Sequence, residues 1–129
     1  MKNIINTSEV MRFVINGLIA TAVHFSILYL CINFLMLNYD GISNLIGAVF
    51  GTLSSFVGNK VFVFKDSKGN IFIQSSKFLM IYAIMAINHG LFLYYWSDIF
   101  NHNYIIGFVL ITIMNTVLSY FWNKYKVFN

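Results

Sequence analysis

The stretch FVINGLIATAVHFSILYLCINFLM, residues 13–36, contains no Asp, Glu, Lys or Arg. A helix rises about 1.5 Å per residue, so a hydrocarbon layer about 30 Å thick takes about 20 residues, fewer than this stretch holds. It also outruns the apolar core of a secretory signal peptide, about 7–15 residues, and no small-residue cleavage site follows it. It therefore reads as a retained transmembrane helix. Three further charge-free stretches of spanning length follow: about 41–59, 78–97, and 104–123 within the longer run 99–123. The chain has no proline, so no span is expected to break sharply. Short turns are expected at Leu37–Asp40 and Asp98–Asn103, and a polar link over 60–77 carries the turn signal Asp66-Ser67-Lys68-Gly69-Asn70.

Composition agrees. Of 129 residues, 59% are hydrophobic and 9% charged, against about 25% charged in an ordinary soluble domain. Mean hydropathy is +0.74. Such a chain cannot clothe a small soluble core in polar side chains, which excludes soluble enzymes, disordered binders and disulfide scaffolds. The predicted fold is an all-α membrane protein, one domain over 1–129, with four transmembrane helices as two helical hairpins. The net charge of +4 does not signal nucleic acid, because the basic residues are scattered among apolar runs. The lone cysteine, Cys31, reads as inert packing.

Charge placement sets an expected orientation. Lys2 and Arg12 precede the first span; Lys60, Lys65, Lys68 and Lys77 lie between the second and third; Lys124 and Lys126 follow the fourth. All basic residues thus fall on one side, while the opposite turns carry only Asp40 and Asp98. By the positive-inside rule both termini and the central link are expected to be cytoplasmic.

The two hairpins read as copies. Arg12-Phe13 matches Lys77-Phe78, and His24 matches His89, at an offset of 65. Ser55-Phe56 matches Ser119-Tyr120, and Asn59-Lys60 through Val63-Phe64 matches Asn123-Lys124 through Val127-Phe128, at an offset of 64. Each copy crosses out and back, so the repeat is parallel rather than inverted.

These residues carry a family resemblance. Arg12-Phe13 with Gly17, Thr21 and His24, then Asn44-Leu45-Ile46-Gly47, then Ser55-Phe56-Val57-Gly58-Asn59-Lys60 and Val63-Phe64 resemble the GtrA family of four-helix membrane proteins. Asn115, Ser119-Tyr120, Asn123-Lys124 and Val127-Phe128 continue the resemblance to the end of the chain. The chain departs from the family pattern at Ala20, where Asn often precedes the Thr, and at Phe62, where Trp is common. The resemblance implies a role in cell-surface polysaccharide or teichoic-acid glycosylation. It implies flipping of an undecaprenyl-phosphate-linked sugar across the bacterial cytoplasmic membrane, for use by a membrane glycosyltransferase.

Polar groups are costly in hydrocarbon unless satisfied, so their positions are informative. In the second span Asn44, Gly47, Ala48, Gly51, Thr52, Ser55 and Asn59 recur at steps of three or four. Two readings stand: close helix packing through Gly47-xxx-Gly51-xxx-Ser55, or a polar lining for a lipid head group. Thr112, Asn115, Thr116, Ser119 and Asn123 form a similar stripe in the fourth span. His24 and His89 each lie twelve residues past a basic residue, near the membrane midplane. They either hydrogen-bond neighbouring helices or serve a titratable, head-group-contacting role, with Asn16 and Asn88 beside them. Arg12, Asn59, Lys60, Lys77, Asn123 and Lys124 sit at the interface. They read either as topology and lipid-anchoring signals or as the donors that hold a lipid phosphate. His24, Asn44, Ser55, His89, Asn115 and Ser119 would then contact the sugar.

No Gly-rich phosphate loop, activated nucleophile, carboxylate pair, metal cluster or cofactor motif is found, so bond-making catalysis is not expected. Competing readings are a non-catalytic anchor or scaffold for a glycosyltransferase, and a bis-histidine haem protein using His24 and His89. Four helices line only a narrow groove, so a homo-oligomer is expected, with the Gly47–Gly51 face as one candidate contact.

Overall fold

The computed structural model describes residues 5–35 and 40–129. Its helices are α1, Thr7–Asn33; α2, Asp40–Gly58; α3, Ile71–Leu93; and α4, Tyr104–Trp122. Wider π turns extend α2 over Asn59–Val63, α3 over Tyr94–Ile99 and α4 over Asn123–Val127. All four are long and apolar enough to cross a membrane, so the protein is an all-α, multi-pass membrane protein. The chain divides into two compact units, Met1–Ser67 and Lys68–Asn129. Each is one antiparallel helical hairpin.

The helix ends depart from the apolar runs. α1 begins at Thr7 rather than Phe13 and α3 at Ile71 rather than Phe78, because asparagine side chains cap both. Asn6 Oδ1 accepts from the Ser8 amide at 3.1 Å, and Asn70 Oδ1 accepts from the Phe72 amide at 2.9 Å. Asn103 Oδ1 caps α4 in the same way, accepting from Ile105 at 2.9 Å. Such caps satisfy amides that the first helical turn leaves unpaired. The polar link expected over 60–77 therefore shrinks to 64–70. At its other end α1 gives way at Phe34, short of Met36; residues 36–39, with most of the first expected turn, lie outside the described residues. In the second turn Asn101 takes a φ of 53°, a left-handed conformation that asparagine tolerates better than most residues.

Packing within each hairpin follows one rule. On α2 and its π turn, Ser43, Gly47, Gly51, Ser55, Asn59 and Val63 are all buried. On α4 and its π turn, Gly107, Ile111, Ser119, Asn123 and Val127 are buried and Asn115 half-buried. These are the same positions shifted by 64. A step of four overshoots an α turn slightly, so such a stripe drifts round the helix. The wider π turn reverses the drift. Phe64 N donates to Asn59 O at 2.8 Å and Phe128 N to Asn123 O at 2.9 Å, closing the longer loops that keep Val63 and Val127 inward. Phe13 then meets Phe64 at 6.5 Å between ring centroids, as Phe78 meets Phe128 at 6.4 Å. The repeat is thus present in the packing within each hairpin as well as in the sequence.

The first hairpin is the tighter of the two. A Cβ on Gly47 would lie 2.8 Å from the backbone oxygen of His24, and one on Gly51 would lie 3.1 Å from that of Ala20. The Gly47–Gly51 face is therefore closed by α1 inside the hairpin, correcting its assignment as a contact between protomers. The second copy has Ile111 and Asn115 at these positions, whose bulk holds α3 and α4 further apart.

Candidate functional site

The candidate residues fall at two levels in each hairpin. At the basic end of the first, Asn16 Nδ2 donates to Ser55 O at 3.0 Å across the buried seam. Arg12 lies four residues before Asn16 and Asn59 four after Ser55, so both sit one turn nearer that end. Asn59 is 0% exposed. Neither its amide nitrogen nor its oxygen has a hydrogen-bond partner among the described residues, and the same holds for the buried Nε of Arg12. Lys60, half-buried, donates from Nζ to Ser67 O at 3.1 Å. Gly58 is required here, because Asn16 Oδ1 occupies the place of its missing Cβ.

The second hairpin repeats the layout with different bonding. Asn123 is also 0% exposed, but its Nδ2 donates to Ser119 O at 2.8 Å and to Ser119 Oγ at 3.1 Å. Only its Oδ1 is left without a partner among the described residues. Ser119 Oγ reaches Tyr82 Oη at 3.3 Å. Lys124 Nζ donates to Tyr120 Oη at 3.2 Å and lies 5.5 Å from that ring's centroid. Lys77, which matches Arg12, is exposed.

Midway along the hairpins the histidines behave differently. His24 Nε2 and Asn44 Oδ1 are 2.9 Å apart, joining α1 to α2. His89 instead meets the Phe108 ring edge-on, at 5.3 Å between centroids. Beside it, Asn88 Nδ2 donates to Asn115 Oδ1 at 3.2 Å, and Asn115 Nδ2 donates to Met85 O at 3.4 Å. His102, in the turn between α3 and α4, is exposed with its ring 4.8 Å from Trp96.

Of the expected site residues, the structure joins His24 to Asn44 and Ser119 to Asn123. It ties Ser55 to Asn16, which sequence reading placed only near the histidines. Asn44, Ala48 and Thr52 flank the glycine stripe rather than sharing its buried centre. Tyr82 and Phe108 were missed, since an aromatic residue in an apolar span carries no distinguishing signal; Tyr120 stood out only as part of the repeat and the resemblance, not as a partner of Lys124. Asn16 did carry one, being an amide in a charge-free run.

Chemically, the spans offer amides, hydroxyls and imidazoles, and the basic ends add ammonium and guanidinium groups. A buried polar group left unpaired costs about 1–3 kcal/mol, so the fully enclosed Asn59 amide is held against a real penalty. Neither a curated protein nor a solved structure matches the chain. The family model described as GtrA/DPMS, transmembrane domain, matches residues 12–128, so the chain belongs to that family.

Proposed function

We propose that the protein translocates a polyprenyl-phosphate-linked sugar across a membrane. The substrate would be an undecaprenyl-phosphate glycoside, moved from the inner to the outer leaflet of a bacterial cytoplasmic membrane for a glycosyltransferase acting outside. Family membership supports the substrate class. The observation that carries the site is the enclosed, unpartnered Asn59 amide one turn from the Asn16–Ser55 bond, beside Arg12 and Lys60. An anionic head group brings acceptor oxygens that such donors lack, and a charge-assisted hydrogen bond contributes about 1.5–3 kcal/mol. Arg12, Asn59 and Lys60 in the first hairpin, and Lys77, Asn123 and Lys124 in the second, are in this reading the phosphate-holding groups of their own hairpins. The sugar's contacts are drawn, in this reading, from His24, Asn44, Ser55, His89, Asn115 and Ser119. No bond is made or broken, no cofactor or metal takes part, and copies of the chain assemble to widen the passage.

The direct test is a leaflet-accessibility assay with a lipid-linked sugar in proteoliposomes. Movement should exceed that in protein-free vesicles at least tenfold. A rate equal to the protein-free control, with correctly inserted protein that still co-purifies with a glycosyltransferase, supports the scaffold reading instead.

Orientation has its own test. Reporter fusions after Asp40 and Asp98 should read external, and those after Lys68 and Asn129 cytoplasmic. A Lys68 fusion reading external overturns the arrangement, because it moves the phosphate donors to the opposite leaflet.

A further inference from the structure

The two copies place a histidine at the same position but surround it differently. His24 is enclosed. Asn44 occupies its Nε2 at 2.9 Å, Phe25 stacks on it at 5.5 Å with ring planes 18° apart, and Gly47 brings α2 against its edge. Shifting by the repeat offset, each of these neighbours is replaced. Asn44 becomes Phe108, Gly47 becomes Ile111, and Phe25 becomes Gly90. No heavy atom lies within 4 Å of where a Cβ on Gly90 would sit. Among the described residues His89 has no hydrogen-bond partner, and its one ring contact is Phe108, which is itself 44% exposed.

We propose that His89 and Phe108 form a saccharide-contact site in the second hairpin, whereas His24 is a structural pin in the first. The inference rests on the translocation reading and names which half of the repeat meets the sugar. A neutral imidazole offers one donor and one acceptor, matching a hydroxyl group, which is both. A half-exposed aromatic ring beside it supplies the apolar surface that the C–H face of a pyranose covers. Small-ligand sites commonly combine such a surface with a few placed polar groups. The nearby Asn115 amide is already committed to Asn88 and Met85, whereas both nitrogens of the imidazole retain their bonding capacity among the described residues. An unpaired polar ring in an apolar span is costly and marks a functional position by default.

The test uses the full chain in nanodiscs with 15N-labelled histidine, its imidazole signals assigned by H24Q, H89Q and H102Q. Two probes are added separately: undecaprenyl phosphate carrying one glucose, and undecaprenyl phosphate alone. The His89 signals should move with the glucosylated lipid only, and the His24 signals with neither. F108N and G90F, which restore the polar partner and the stacking ring of the first copy, should weaken glucosylated-lipid binding about tenfold, the equivalent of about 1.4 kcal/mol. Both should leave binding of the bare lipid unchanged. If the glucosylated lipid binds while His89 stays silent, or moves no more than His24, the site is overturned and translocation stands. If the glucosylated lipid does not bind at all, the translocation reading fails and this one fails with it.

Discussion

Replacing Gly47 with valine is expected to abolish the folded protein. A Cβ at this position would lie 2.7 Å from His24 Cδ2 and 2.8 Å from His24 O. The imidazole can rotate away only by breaking the 2.9 Å bond to Asn44; the backbone oxygen cannot move without displacing α1. Ordinary overpacking costs about 1–3 kcal/mol, and here the lost interhelix bond adds to it. Thermal unfolding in mild detergent and the yield of monodisperse protein measure the outcome, with a large loss in both. Gly17→Ala and Gly90→Ala serve as controls, because neither site has a heavy atom within 4 Å of the new methyl group. Both should match or slightly exceed the wild type, since alanine favours a helix by about 1 kcal/mol over glycine. A Gly47→Val protein as stable as these controls would show that α1 and α2 do not meet at this face.

Replacing Asn59 with leucine should move stability and transport in opposite directions. Leucine has similar bulk and removes two buried atoms that have no partner among the described residues. Relieving unpaired polar groups stabilises by about 1–3 kcal/mol apiece where nothing else binds them. The variant should therefore unfold at the same or a higher temperature than the wild type. Transport in proteoliposomes should fall at least tenfold, the effect of losing about 1.4 kcal/mol or more of head-group binding. Asn123→Leu should cost stability instead, because it breaks the paired bonds to Ser119. A stable Asn59→Leu protein with normal transport would remove Asn59 from the route and leave its burial unexplained.

What was legible in the sequence is what hydrophobicity encodes. Runs without charge gave four helices, and the matched Arg12/Lys77 entries and Asn-Lys exits gave the duplication. The first turns of α1 and α3 were hidden because their ends are set by capping asparagines, Asn6 and Asn70, that lie outside the apolar runs. The π turns were hidden because Asn59 to Phe64 is equally compatible with a regular α-helix; only the pull of Val63 and Phe64 into the seam selects the wider form. The candidate site was half legible. The polar residues stood out against the spans, but their partners did not. Sequence symmetry made His24 and His89 look alike, and the distinction lies in Phe108 and Gly90, two residues unremarkable in a membrane helix.

The change of offset along the repeat has a consequence for how this chain tolerates alteration. The copies differ by 65 residues up to the His24/His89 pair and by 64 from Asn44/Phe108 onward. One residue has therefore been gained or lost between these points, which bracket the far turn of each hairpin. Within a helix the same change would rotate every later side chain by about 100°, carrying the stripe from Gly47 to Val63 out of the seam. Placed in a turn, it alters the length of the connection and leaves both faces in register. An inserted tag or loop should therefore be borne in the turn between Phe100 and Asn103, whereas one inserted between Gly47 and Ser55 would turn the rest of the stripe out of the seam.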